Sequence, residues 1–425
     1  MIKIFKKGDI HYEEIFKRNN HSLDVSSIVK DIICNVRSDG DRALKEYSLK
    51  FDKAYIDSFE VNEEEMDSAL KDVEDEFLQI LLEAAKNITE YHSKQLRQGY
   101  EIQKGNGAVL GQIVMPLEKV GIYVPGGTAA YPSTVLMNAI PAKIAGVAEV
   151  VMVTPPNKEG KVNPYILAAA KVAGVDRVFR VGGAQAIAAL AYGTESVPQV
   201  DKIVGPGNAF VAEAKKQVFG QVAIDMIAGP SEILVISDSK SDPKYLASDL
   251  LSQAEHDKNA TAVLVTDSSE LAERVQMEVE EQLKGLPREE IARASIDNNG
   301  KIIVCASITE AIEISNRIAP EHLEISTDNP FELLKSVKNA GSVFLGRYSS
   351  EPLGDYFAGP NHTLPTMGTA RFSSPLSVED FVKTMQYSSY SEQALKEDYS
   401  KIAYFARKEG LEAHARAVES RFCDK

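Results

Sequence analysis

The chain has 425 residues, 44% of them hydrophobic and 26% charged, with no tryptophan and a formal net charge of −15. Its length implies roughly two to three domains with sizeable cores, and its balance is that of a globular protein rather than a disordered one. An acidic chain without a basic stripe is a poor nucleic-acid binder, and no apolar run reaches the length of a bilayer span.

The opening MIKIFKKGDIHYEEIF lacks the long apolar core and cleavage site of a secretory signal, so a cytoplasmic location is expected. Cys34, Cys305 and Cys423 are odd in number and far apart. They form neither a disulfide framework nor a cysteine zinc cage, and a metal would need other ligands.

To about residue 118 the chain reads as helices, as in DEFLQILLEAAKNITEYHSKQL, and closes on short strands in GYEIQKGNGAVLGQIVMPLEKVGIYVPGG. From Val120 to Asp238 β-branched runs such as VAEVVMVTP, VDRVFRVGG and VDKIVGPG alternate with alanine-rich stretches such as YILAAAKVAG and AQAIAALAYG. That order is the signature of βαβ units around a buried parallel sheet. A second series runs from ATAVLVTD through GKIIVCAS and HLEIST to SVFLG, so the fold class expected is α/β with two doubly wound units. Between the series, SDPKYLASDLLSQAEHD opens on the candidate caps Ser241 and Asp242 with Pro243 in the first turn. Leu246, Leu250, Leu251 and Ala254 share one side of this helix, and Gln253 and His256 flank that stripe near its end. After about Pro375 the chain turns helical again.

Of seven histidines, His11, His21 and His92 sit among polar residues and read as surface groups. His256, His322, His362 and His414 form the pool for a site. Zinc or manganese without cysteine needs imidazole and oxygen ligands from separate elements. Gln253 with His256 supplies one pair, Asp355 with His362 in LGDYFAGPNHTLPT a second, and Glu409 with His414 in EGLEAHARA a third. The last two are on different faces of a helix unless Gly410 breaks it. None of these spacings is a recognised ligand pattern, and spacing alone favours ordinary solvated or hydrogen-bonded residues.

In RIAPEHLEIS, Glu321 and His322 follow a helix-ending Pro320. They read either as two general bases for different protons or as an exposed connection. The pair precedes its strand, whereas ligands of an open parallel sheet bind beyond the carboxyl ends; a site between domains is therefore expected. GPGNAF from Gly205 follows a strand and precedes a helix, with Asp225 about twenty residues on as in a dinucleotide fingerprint, although Phe210 replaces the third glycine. YVPGG at Tyr123–Gly127 and VGGAQA at Val181–Ala186 place glycines at turns that either cradle phosphate or simply turn tightly.

Taken together, GIYVPGGTAAYPSTVLMNAIPAKIAGV, GGAQAIAALAYGT, VGPGNAFVAEAKK, DMIAGPSEILVI, DLLSQAEHD, APEHLEI and GDYFAGPNHTLPT resemble, in order, the histidinol dehydrogenase family. The resemblance implies a zinc enzyme that oxidises L-histidinol to L-histidine with NAD in two successive hydride transfers by way of the aldehyde, in histidine biosynthesis. It implies a homodimer of two incomplete Rossmann-like units with small helical terminal segments. The implied organisation is an arm over residues 1–21, a discontinuous α/β domain over 22–119 and 233–375, a nucleotide-side α/β domain over 120–232, and a tail over 376–425. Carried over by motif, the metal ligands are Gln253, His256, Asp355 and His414, the last reaching the partner's site. Glu321 and His322 are the catalytic pair. Ser231, His362 and Glu409 join His322 and the metal ligands in holding substrate, and Tyr123, Gln185 and Asn208 contact NAD. Two other readings stay open on the residues: a related zinc and NAD dehydrogenase for another small alcohol, and a zinc hydrolase.

Overall fold

The computed structural model describes residues 1–6, 9, 12–16, 24–126 and 130–422; His11, His21, Gly127 and Cys423, all considered above, lie outside the described residues. The β-branched runs pair into two parallel sheets. One has five strands in the order Arg177–Arg180, Glu149–Thr154, Lys119–Tyr123, Lys202–Val204 and Ala223–Ile224. The other has six, in the order Lys3–Lys6, Lys301–Val304, Thr261–Thr266, Glu232–Ser237, His322–Ser326 and Ser342–Leu345. Each winds outward from its first long strand and then crosses back to that strand's other side. A switch point therefore lies between Lys119–Tyr123 and Lys202–Val204, and another between Glu232–Ser237 and His322–Ser326.

The alanine-rich segments are helices because they are buried all round. In the Gly183–Tyr192 helix every residue from Ala184 to Ala191 is buried, which small side chains permit between a sheet and an outer helical layer. That outer layer comes from the first part of the chain. Val29, Ile32, Ile33 and Val36 of the Ser26–Asp39 helix share a core with Ile187, Val211 and Val218. On the opposite face Leu81, Ala84 and Ile88 of the Asp75–His92 helix pack with Val135, Ile140 and Ile166.

This corrects the grouping of residues 22–119 with 233–375: the early helices cover the five-stranded sheet, whose short alanine helices need a second layer to exclude water. The expected arm over residues 1–21 also begins within the fold, because Lys3–Lys6 pairs in parallel with Lys301–Val304 at the edge of the six-stranded sheet. His92 is not at the surface. It continues the Leu81, Ala84, Ile88 stripe by one more helical turn, is fully buried, and pairs its Nδ1 with Gln95 Oε1 at 2.7 Å.

The chain divides into two compact units. The first, Met1–Gln95 with Leu117–Phe381, holds both parallel sheets. The second, Leu96–Pro116 with Val382–Lys425, is an antiparallel three-stranded sheet in the order Val382–Ser389, Val109–Pro116 and Tyr100–Gln103, with helices Glu392–Lys408 and Glu412–Glu419. The tail is thus not wholly helical, since Val382–Ser389 pairs antiparallel with Val109–Pro116. Among the described residues no helix is long and apolar enough to cross a membrane.

Candidate active site

The helix Ile308–Ile318 stops at Ala319, whose φ of 53° is left-handed for a residue with a Cβ. Such a conformation costs about 1–2 kcal/mol and, with Pro320 next, turns the chain sharply into Glu321 and His322. Both side chains are buried. Glu321 Oε2 accepts the backbone N–H of Glu232 at 2.8 Å, and burial pushes its pKa up to about 8. His322 Nδ1 donates to the carbonyl oxygen of the same Glu232 at 3.0 Å, so the amino end of the Glu232–Ser237 strand aligns both members of the pair.

That bond leaves His322 Nε2 for the site. It lies 3.8 Å from Asp355 Oδ1 and 4.0 Å from Glu351 Oε1 and makes no hydrogen bond within the protein. Burial opposes a charge on this imidazole, but Glu321, Asp355 and Glu351 outweigh it and push its pKa up to about 10. Around Asp355 the balance is reciprocal: burial opposes ionisation, yet His322 and His362 hold the carboxyl well below its usual range.

Asp355 and Glu351 are one turn apart on the helix Glu351–Tyr356. The backbone N–H of Glu351 donates to Glu324 Oε1 at 2.7 Å, and Glu324 is two residues beyond His322 on the same strand. Burial pushes the Glu351 pKa up to about 8, aided by the Asp355 charge.

Gln253 is the penultimate residue of the helix Pro243–Ala254 and is 1% exposed. It is therefore buried rather than at a wet helix end, and neither its Oε1 nor its Nε2 has a hydrogen-bond partner among the described residues. His256 lies past the helix, in the turn closed by its own N–H on the Gln253 carbonyl at 3.2 Å. Its half-buried imidazole feels Asp355 and His322, and burial lowers its pKa.

His362 Nδ1 donates to the Asp355 carbonyl oxygen at 3.0 Å, and its Nε2 is 3.4 Å from Thr134 Oγ1. Burial lowers its pKa, against the opposing pull of the Asp355 charge. Ser231 is half-buried directly before the Glu232–Ser237 strand.

Thr134 is in the first turn of the helix that follows the Lys119–Tyr123 strand, and Asn361 Nδ2 donates to the Met137 carbonyl of the same helix at 2.6 Å. The cluster thus lies between the amino ends of the six-stranded sheet and the carboxyl ends of the five-stranded one, so a pair that precedes its own strand still faces strand ends of the kind beyond which ligands bind. Tyr123, Gln185 and Asn208 are at those carboxyl ends, and Tyr123 and Asn208 flank the switch point. Tyr123 is buried, its hydroxyl accepting the Gly183 N–H at 3.1 Å, and burial pushes its pKa up to about 12. Gln185 is buried in the first turn of the next helix. Asn208 caps its helix, Oδ1 accepting from Phe210 and Val211 N–H at 3.0 and 3.2 Å.

Asp225 does not act as the fingerprint requires. Its carboxylate is buried in an ion pair with Lys215 and accepts the Gly205 N–H at 2.8 Å and its neighbour Met226 N–H at 2.6 Å. It therefore holds the turn after the Lys202–Val204 strand and has no oxygen exposed to a ribose. Gly205 has a φ of 108°, and a Cβ there would stand 2.2 Å from the Tyr123 carbonyl oxygen. Gly205→Ala should destabilise the protein by about 3 kcal/mol or more, read as a lower denaturant midpoint. An unchanged midpoint would show that the two strand ends can separate freely.

Glu409 and His414 belong to the second unit. Glu409 ends the helix Glu392–Lys408, Gly410 breaks the chain at a φ of 78°, and His414 starts afresh in Glu412–Glu419; both side chains are exposed. Among the described residues the tightest set of metal-competent groups is His322, Glu351 and Asp355, whose ligand atoms lie within 4.8 Å of one another. Glu351 was missed by sequence reasoning; the available signal was a carboxylate four residues before Asp355, which puts both on one face of a short helix.

Two doubly wound sheets with a buried imidazole–carboxylate centre between them define an α/β protein whose ionisable cluster faces the carboxyl ends of one sheet, where ligands of such sheets generally bind. A family model described as histidinol dehydrogenase matches residues 16–422. A histidinol dehydrogenase of Clostridium acetobutylicum is 57% identical over 427 residues, 99% of each chain. One from Lactiplantibacillus plantarum is 58% identical over 400 residues, 94% of this chain and 93% of its own. The crystal structure of histidinol dehydrogenase from Elizabethkingia anophelis superposes with a TM-score of 0.94 at 38% identity, covering 99% of this chain and 98% of that one. The chain belongs to the histidinol dehydrogenase family.

Proposed function

We propose that this chain oxidises L-histidinol to L-histidine in two successive hydride transfers to NAD, by way of the aldehyde, as a cytoplasmic step of histidine biosynthesis. The observation that carries the reading is the arrangement of Glu321, His322, Asp355 and His362 opposite the strand ends bearing Tyr123, Gln185 and Asn208.

The donor set suits zinc. An amide with both ends buried and unpartnered, a half-buried imidazole and an ionised carboxylate are oxygen and nitrogen ligands without thiol. Gln253, His256 and Asp355 would hold the ion, and His414 from a second copy would complete the set, making the working enzyme a homodimer. When bound, zinc supplies a positive charge that orients an imidazole- and amine-bearing substrate and offsets the carboxylates, so that His322 can shed its proton.

The remaining work belongs to the chain. His362, together with the partner's Glu409, would hold the polar ends of histidinol, with Ser231 as a further substrate contact. Neutral His322 takes the hydroxyl proton at Nε2 as hydride leaves the carbon, its ring fixed by the Glu232 carbonyl. Glu321, with its proton affinity raised by burial, removes a proton from the water that adds to the aldehyde. His322 then serves the second oxidation. Tyr123, Gln185 and Asn208 hold the nucleotide without an acidic ribose partner at position 225.

Oxidising an alcohol to a carboxylate removes two hydrides, so about two NADH should form per histidinol consumed, followed at 340 nm against substrate loss. A ratio near one, or turnover without NAD, would overturn the reading.

A further inference from the structure

The helix Glu351–Tyr356 carries Asp355 but has little of its own to hold it in place. It is six residues long, and so short a helix is unstable by itself. Its two buried residues are an acid and a glycine, Glu351 and Gly354, while Leu353 and Tyr356 are 43% and 60% exposed. Apolar burial therefore contributes little, and polar ties decide where Asp355 stands. At the amino end the Glu351 N–H is tied to Glu324 Oε1. At the carboxyl end the Leu353 carbonyl accepts the N–H groups of Phe357 and Ala358 at 3.0 and 2.8 Å, and the carbonyls that follow need partners from outside the helix. Asp355 finds His362 Nδ1. Phe357 finds Asn87, whose Nδ2 donates to its carbonyl oxygen at 2.9 Å.

Asn87 is half-buried near the end of the Asp75–His92 helix, in the outer layer of the five-stranded sheet. A second contact brings the same loop to the same helix. Gly359 is buried with a φ of 109°, and a Cβ there would stand 2.7 Å from the Asn87 carbonyl oxygen and 3.3 Å from Tyr91 Cβ. Asn87 and Tyr91 are one turn apart, so one side of the helix receives the apex of the loop. Its two ends are joined to each other by the His362–Asp355 bond, and fixing the apex therefore fixes both residues. We propose that Asn87 is the positioning residue of the loop 355–362: it anchors the apex to the helical layer of the other sheet and so holds Asp355 and His362 toward the strand ends that bear Tyr123. The anchor is independent of what the site binds, whereas its effect on histidinol rests on the function proposed above.

Two measurements on the full-length, zinc-loaded protein test the role in Asn87→Ala and in Asn87→Asp. The second variant keeps the shape of the side chain but at pH 8 offers only acceptors to a carbonyl that needs a donor. Hydrogen–deuterium exchange reads the anchor. Amides of residues 353–359 should exchange about 3–10-fold faster, the worth of one hydrogen bond, with those of the strands Glu232–Ser237 and Lys119–Tyr123 unchanged. Steady-state kinetics read the consequence. KM for histidinol should rise about 10-fold or more, because two contacts to substrate and metal move together, while KM for NAD stays the same. A purely structural role would lower kcat through a smaller folded fraction and leave both KM values alone. Unchanged exchange over 353–359 in both variants overturns the proposal. So does faster exchange with an unaltered KM for histidinol, which would show that Asp355 and His362 keep their places without the anchor. If the parent protein does not turn over histidinol at all, the exchange result still decides the anchor, and only the function proposed above falls.

Discussion

Glu321→Gln lowers oxidation of the aldehyde by about 10²–10⁴-fold, the usual worth of a placed general base, while the first oxidation, of the alcohol, falls much less. The amide still accepts the Glu232 N–H that Glu321 Oε2 accepts at 2.8 Å, so the backbone around His322 stays in place. What is lost is the ability to take a proton from water. Supplying histidinol and the aldehyde separately in single turnovers, and following NADH, distinguishes the steps. Equal losses in both would mean that the two residues share one proton path, and the division of labour would be wrong.

Lys215→Met costs about 3–5 kcal/mol of unfolding free energy, the penalty for leaving one half of a buried ion pair alone. Lys215 and Asp225 are 2% and 1% exposed, and the ammonium also donates to the Gly205 carbonyl at 2.9 Å. Adding Asp225→Asn should recover part of the loss, because the buried charge disappears, although the single amide oxygen can serve only one of the Gly205 and Met226 N–H groups, which the carboxylate meets with separate oxygens. Denaturant melts of the single and double variants read both effects. A loss below about 1 kcal/mol for Lys215→Met would show that water reaches Asp225 and replaces the ammonium.

Local pattern made the sheets legible. Runs such as VAEVVMVTP and TAVLVT alternate with helical stretches, and they pair as parallel strands around two switch points. What pattern did not show is which surface an amphipathic stripe covers. Val29, Ile32 and Val36 announce a buried face, but nothing in them distinguishes the near sheet from the far one.

The same limit applies to Asp225. Its distance from the glycine turn matched a ribose-binding acid, and only the arrival of Lys215 from the intervening helix shows that the carboxylate is already engaged. Gln253, His256, Asp355 and His362 were found as pairs of polar residues beside apolar ones. Their convergence depends on elements about a hundred residues apart, beyond any local spacing rule. The strand Val382–Ser389 was hidden because its exposed, polar faces carry little hydrophobic contrast.

The left-handed turn at Ala319 leads into a strand whose register is pinned on both sides, His322 lying opposite Ile233 and Ser342. Side chains on a strand alternate between faces, so adding or removing one residue there exchanges them. Such a change would bring Leu323 or Glu321 to the place of the imidazole. The loop at 319–321 is therefore fixed in length even though it is a connection. Surviving natural variants would change residue type there long before they changed residue number.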